Sequence, residues 1–498
     1  MKRIIAVILT LSLLIPAAVS CAETQNTEET TAPAVTETPE VLEGADTTKA
    51  EELGFYDNPV PAPTRFDGEV IKFLYWSDVE NPEFFVEEQN GEAVNDAIYN
   101  RNAKIEEQLG VTLEFTGTPG NNKNQKDFIN KCINSTQSGA DAHDFFCGYS
   151  MTGAPLMCEG IAQDLTQYEV IDFDKPWWPA SLISKARIKD GIYFASGDIS
   201  TNFLYMMYCC TFNKDLFTSI HVQDCKVLYD LVDNQQWTLD KLIEYSTGVY
   251  LDSDGDTVLG TGDRVGFFLC GEVHYDAFYT GCDLYTVVPA EDGSVQLSDD
   301  LFSEKTQNVL DKLCAFMHNS GDAYLSTTNI FTTNQAIFTI DRAQITTKKL
   351  TGAAFTYGML PVPKYNAEQE DYYTCMAFPF TTYVLSTAST HSEAAAATLE
   401  LMAYHSYLSI TPALFEEAMK IRYADASEDS RMFDIIRESV VIDLGRLLTT
   451  KLENLSYSLF RNALAKNQAG SWSSMKNANS KIFNRKIGDI NKDLEKLG

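Results

Sequence analysis

The sequence predicts an α/β protein built as two lobes, on three observations. The chain has 498 residues, more than one hydrophobic core ordinarily organises. From Glu69 onward, apolar runs of strand length alternate with longer segments of helical spacing, the order that builds βαβ units on a parallel sheet. Third, residues 191–216, GIYFASGDISTNFLYMMYCCTFNKDL, hold two apolar runs, 192–195 and 203–212, separated by Ser196-Gly197-Asp198-Ile199-Ser200. Runs rich in aromatic and branched residues, bounded by Gly, Ser and Asn, read as buried strands. A strand that stops at a polar kink and resumes can leave one compact unit and enter another, so this stretch is expected to cross between the lobes with the ligand beside it.

The start of the chain sets a compartment. Met1-Lys2-Arg3 precedes the apolar run 4–18, and Val19-Ser20-Cys21 closes it. That is a basic n-region, a short apolar region and a cleavage site rather than a membrane span. With a cysteine at the cleavage point the segment resembles a bacterial lipoprotein signal, which implies lipidation of Cys21. Ala18 stands where that signal usually has Leu, and an ordinary secretory signal is the alternative. Residues 22–65 are rich in Thr, Glu, Ala and Pro; such a segment cannot bury enough surface to offset its ordering entropy and is expected to be a disordered tether. Folded sequence is expected from 66 to 498.

The formal net charge of −32 argues against nucleic acid or an anionic surface as partner, because phosphates are repelled. Eleven cysteines show no Cys-x-x-Cys and no metal spacing, and they read as buried free thiols, small hydrophobes in effect.

In order, residues 69–76 form a first strand that ends at Trp76-Ser77-Asp78. Residues 95–110 follow as a helix, with Ala97, Ile98, Arg101, Ile105 and Leu109 on one face, Asn95 or Asp96 at its start and Gly110 at its end. Residues 111–115 are a second strand, 128–134 a helix and 144–148 a third strand. Later strands are expected at 338–342 and 378–385. Helices are expected at 394–404 and 411–422, and a peripheral amphipathic helix at 472–497.

The signal, the tether and the Asn-Asp-Ala-Ile-Tyr-x-Arg-Asn helix at 95–102 together resemble the extracellular solute-binding proteins of bacterial ABC importers, family 1, the carbohydrate type. Three later segments agree: Thr211-Phe212-Asn213-Lys214-Asp215-Leu216, Trp237-Thr238-Leu239-Asp240-Lys241-Leu242, and Tyr357-Gly358-Met359-Leu360-Pro361-Val362-Pro363-Lys364. The resemblance implies a periplasmic-binding-protein-like fold with hinge crossings. Lobe 1 is then expected at 66–195 plus about 335–386, and lobe 2 at about 196–334 plus 387–498. It further implies a monomer, lipid-anchored on the extracellular face of the cell membrane, that captures a carbohydrate, an oligosaccharide by preference, and delivers it to the importer's permease subunits.

Sugar rings stack C–H faces on aromatic planes and exchange hydrogen bonds with Asp, Asn and Arg. Aromatic residues 75, 76, 149, 177, 178, 205 and 383 fall near strand ends or crossings, where core packing competes with a binding role. The expected ligand-binding residues are Trp76, Asp78, Tyr149, Ser150, Asp198, Ser200, Asp341 and Arg342. Asp252, Asp254, Asp256 and Asp263 follow positions one, three, five and twelve of a calcium loop, with the glycine displaced and Asp in place of the final Glu. They read as a solvated acidic turn, open to a structural calcium ion; no cofactor is required. No enzyme motif appears: there is no Gly-x-Ser-x-Gly elbow, no His-Glu-x-x-His and no phosphate-cradling loop. A secreted glycoside hydrolase, which needs only two suitably placed carboxylates, and a surface adhesion module remain the alternative readings.

Overall fold

A computed structural model of the chain describes residues 56–139, 142–414 and 426–497. The expected signal, Cys21 and most of the tether lie outside the described residues, as does most of the helix expected at 411–422. Among the described residues thirteen strands run in chain order: β1 Val70–Trp76, β2 Thr112–Thr118, β3 Phe145–Tyr149, β4 Arg187–Ile188, β5 Gly191–Ile192, β6 Tyr208–Asn213, β7 Val265–Leu269, β8 Val287–Pro289, β9 Val295–Leu297, β10 Ala323–Leu325, β11 Ala336–Arg342, β12 Tyr357–Leu360 and β13 Thr381–Leu385.

The first lobe is built on a sheet of order β13-β3-β1-β2. β1 pairs in parallel with β2 and β3, and Phe73 stands opposite Phe115 on one side and Phe145 on the other. These three rings stack at centroid distances of 4.9 Å, so cross-strand aromatic pairing fixes the register. β13 closes the sheet antiparallel to β3. Helix Ala93–Leu109 lies between β1 and β2, buries Ile98, Arg101, Ile105 and Leu109, and stops at Gly110 in the left-handed conformation. Asp96 does not cap it from the end; its carboxylate accepts from the amides of Asn90 and Gly91 and ties down the entering loop.

The second lobe is built on a sheet of order β10-β7-β11-β6-β12. β6, fully buried, is antiparallel to both neighbours. The segments that carry the family resemblance are its joints. Asn213 ends β6 and accepts from Leu216 N at 2.8 Å to cap helix Lys214–His221. Trp237, fully buried, donates Nε1–H to Pro361 O at 2.9 Å. Lys364, also fully buried, donates from Nζ to Gln369 O at 2.6 Å.

The division of the chain differs from expectation in three places. Residues 336–360 belong to the second sheet, because β11 and β12 hydrogen-bond to β6. Helix Ser392–His405 packs on helix Ala93–Leu109 of the first lobe. The folded body starts by Tyr56: Val60 is buried, and the Tyr56 ring stands edge-on to Trp177 and Tyr407. The prolines around Val60 give a linker composition to a segment that two apolar side chains anchor.

Three crossings join the lobes. On the first, Ala195 exchanges backbone hydrogen bonds with Tyr383 of β13 before the chain reaches β6. The run after the kink begins not as strand but as a short helix, Thr201–Tyr205, with Ser200 as its cap. The second returns through Met376, which bridges Met207, to β13. The third leaves helix Ser392–His405, passes Thr411 and arrives at helix Ala426–Glu438, which packs on β12.

Candidate functional site

Between the lobes lies a narrow crevice lined by Ser150, Met376, Phe378, Phe380, Val441, Ile442, Asp443, Arg446 and Leu447. Its first-lobe side is Ser150, which follows β3, with the ends of β1 and β3 buried nearby. Trp76, 1% exposed, donates Nε1–H to Thr381 Oγ1 at 2.7 Å and stands edge-on to the Tyr149 ring at 5.3 Å. Burial pushes the Tyr149 phenol above its ordinary pKa and keeps it neutral, with Arg446, Glu80, Tyr457 and Arg342 close enough to act on it electrostatically. Ser150 donates to Phe378 O at 2.6 Å.

The facing wall is an arginine and aromatic shelf. Asp276, buried, accepts from Arg446 Nη1 at 2.7 Å and from Arg461 Nη2 and Nε at 2.6 and 3.1 Å. The Arg446 guanidinium lies 4.0 Å over the Phe378 ring and that of Arg461 4.4 Å over Tyr457, while the two rings meet edge to face at 5.4 Å. Phe378 and Tyr457 are both half-buried, so each ring keeps part of its surface open. At the end of β11, Arg342 Nη1 meets Glu80 Oε1 at 3.5 Å and Gln344 Nε2 donates to Glu80 Oε2 at 3.1 Å, joining the second lobe to the loop after β1. Asp341, buried, accepts from Arg342 N at 2.8 Å and lies 3.4 Å from Lys349 Nζ. His274 Nδ1, buried without a hydrogen-bond partner, stands 3.8 Å from that carboxylate; burial pushes the imidazole below its ordinary pKa, partly offset by Asp341.

Of the expected ligand residues, Ser150 lines the crevice; Trp76 and Tyr149 are buried near it, Arg342 lies close enough to act on the Tyr149 phenol, and Asp341 is buried beside Arg342. The other three expected ligand residues are committed elsewhere. Asp78 accepts from the amides of Gly120 and Asn121 and from Asn124 Nδ2, holding the loop before helix Gln125–Thr136. Ser200 donates to the buried Glu83, and Asp198 pairs with Arg437. Trp177 and Trp178 turn inward, each donating Nε1–H to Glu400 at 3.0 Å.

Of the acidic loop, Asp252, Asp254 and Asp256 come together, each offering a carboxylate oxygen within 4.8 Å of the others. Asp263 stands apart: fully buried, it accepts from Ser253 N and Gly260 N. Ten cysteines are free thiols with no disulfide among the described residues, eight of them buried. Among the described residues no helix is long and apolar enough to cross a membrane.

Two α/β sheets, three crossings and a crevice walled by both sides define a two-lobe binding-protein fold of the periplasmic-binding-protein type. No family model and no curated protein matches the sequence. Solved structures do. The chain is similar to the cyclic α-maltosyl-1,6-maltose binding protein of Arthrobacter globiformis, with 15% identity, a TM-score of 0.54, and 86% of this chain and 100% of that one covered. It is similar to a cyclo/maltodextrin-binding protein solved with maltotetraose, at 12% identity and a TM-score of 0.52 over 86% of this chain and 98% of that one. UgpB of Mycobacterium tuberculosis, solved with glycerophosphocholine, has 12% identity and a TM-score of 0.50 over 85% and 100% of the two chains.

Proposed function

We propose that this chain is the extracellular carbohydrate-binding component of an ABC importer, a family 1 solute-binding protein that captures an oligosaccharide between its lobes without altering it. The observation that carries this reading is the two-lobe fold with its chain crossings; at the narrow crevice between the lobes the half-buried Phe378 ring and the Arg446–Asp276 pair are groups of the kind that recognise sugar rings and hydroxyls. Its fold neighbours include a cyclo/maltodextrin-binding protein solved with maltotetraose and a cyclic α-maltosyl-1,6-maltose binding protein. Ligand that touches both walls favours the closed arrangement through those differential contacts, and the closed form is what a permease receives. The test is a thermal-shift screen of neutral oligosaccharides, maltotetraose among them, run with calcium added and withheld, followed by chromatography of the recovered sugar. Stabilisation with the sugar returned intact supports the reading. Released product would turn it to a hydrolase, and no response to any glycan would leave an adhesion module.

The signal-like start supports anchoring through a lipid on Cys21. In a bacterial expression host, Cys21→Ala should move the protein from the membrane fraction to the soluble exported fraction; unchanged fractionation would overturn the anchor.

A further inference from the structure

The crossings carry an ion pair that the crevice does not use. Asp198, 3% exposed, sits on the first crossing, where its amide donates to Trp177 O of the first lobe at 3.3 Å. Its carboxylate accepts from Thr411 Oγ1 on the third crossing at 2.7 Å and from Arg437 Nη2 at 3.0 and 3.2 Å. Arg437 belongs to helix Ala426–Glu438, and that helix is fastened to the second lobe: about two turns before Arg437, Asp429 accepts from Lys214 Nζ at 2.9 Å, Tyr229 OH at 2.7 Å and Met359 N at 3.2 Å. The Arg437 guanidinium also lies 5.4 Å over the ring of Tyr407, in the turn that follows helix Ser392–His405 of the first lobe. Just beyond it, Ser439 receives the second crossing through Thr374 N at 2.8 Å.

We propose that Arg437 is an inter-lobe clasp: an arm of the second lobe seated between Asp198 and Tyr407 of the first, which holds the lobes in the arrangement seen here. All three crossings meet within a few residues of it. A pair this buried cannot be broken cheaply, since parting it leaves a carboxylate in a poorly hydrated place; a hinge that turns against it therefore has two discrete arrangements rather than a continuum. In the present arrangement Glu80 reaches Arg342 and Gln344 across the crevice, so the clasped arrangement is the closed one. The inference rests on the fold and contacts alone and stands apart from the sugar reading.

The test is hydrogen exchange followed by mass spectrometry on the full chain without ligand, comparing Arg437→Gln and Asp198→Asn with wild type. Loosening the clasp should speed exchange of peptides covering the crevice mouth, residues 150–153 and 375–381, by about fivefold or more, while peptides of β1 and β7 stay as in wild type. Asp198→Asn, which keeps an acceptor for Thr411, should show the same pattern at smaller amplitude. Unchanged crevice peptides in folded variants would overturn the clasp. So would equal acceleration in β1 and β7, which marks general destabilisation.

Discussion

Glu400 lies in the middle of helix Ser392–His405, fully buried, with the indole N–H groups of Trp177 and Trp178 directed at its two oxygens. Burial pushes its carboxyl up to about 8 from an ordinary 4.5, the two indoles offsetting only part of the cost. An acid whose pKa is higher folded than unfolded contributes stability that is fully present below its unfolded value and is lost as pH rises through the folded one; here the window runs from 4.5 to about 8. His405, one turn on, has the opposite sign: burial lowers its pKa to about 4 from 6.5, so its contribution is present above 6.5 and lost as pH falls toward 4. Comparing wild type with Glu400→Gln cancels the histidine. Glutamine satisfies one indole and presents an amide to the other, so the variant should melt lower at pH 5 by roughly one lost hydrogen bond, about 1 kcal/mol. The gap should close or invert by pH 8.5, read by calorimetric melts across the range. A gap independent of pH would show that Glu400 does not titrate between those limits.

At the scale of elements, the cap at Asn213 is the joint on which the second sheet turns into its first helix. Its Oδ1 accepts from Leu216 N, and its Nδ2 reaches Asn334 in the turn before β11. Asn213→Ala removes both and should cost about 1–2 kcal/mol in a urea melt, whereas Asn213→Asp, which keeps the cap acceptor, should recover most of it. The boundary at Asn213 was legible in the sequence, because Asn-Lys-Asp-Leu closes an apolar run; its cap is a finding of the structure. The helix ending at Gly110, the strands around it and the crossing near Ser196–Ser200 were legible too. Sheet membership was not legible. β11, Ala-Ile-Phe-Thr-Ile-Asp-Arg, is buried along almost its whole length, and its pattern says that it is buried but not which strand it pairs with. The crevice was half legible for a related reason. Ser150 follows a strand end and was within reach of the sequence, but Asp276, Phe378 and the Arg446–Tyr457 segment converge from three separate parts of the chain with no common motif. Asp78, Asp198 and Ser200 are expected as ligand groups, and the structure ties them to backbone amides, to Arg437 and to Glu83; a polar side chain in a loop looks the same in sequence whichever partner it has.

Over the whole molecule, charge is the property the sequence sets most firmly. Seventy acidic against 38 basic residues leave a formal −32, so the compact state repels itself and expansion relieves the repulsion. Exposed ion pairs such as Lys226–Asp230 and Lys241–Glu244 act the other way, but solvent screens them and each contributes little. The repulsion should win. Raising sodium chloride until the screening length falls to about 10 Å should therefore raise the melting temperature at pH 7, and a fall would mean that surface pairing outweighs net charge. The crevice is predicted to behave differently from the body around it. Glu80, Asp276, Asp341 and Asp443 stand there with Arg342, Lys349, Arg446 and Arg461, four acidic groups against four basic, so the local field is balanced although the chain is not. A neutral oligosaccharide should then bind with an affinity that calorimetric titration finds unchanged across the same salt range, even while the melting temperature moves. An affinity that falls steeply with salt would mean that the ligand carries charge, and the neutral-sugar reading would have to yield to a cationic one.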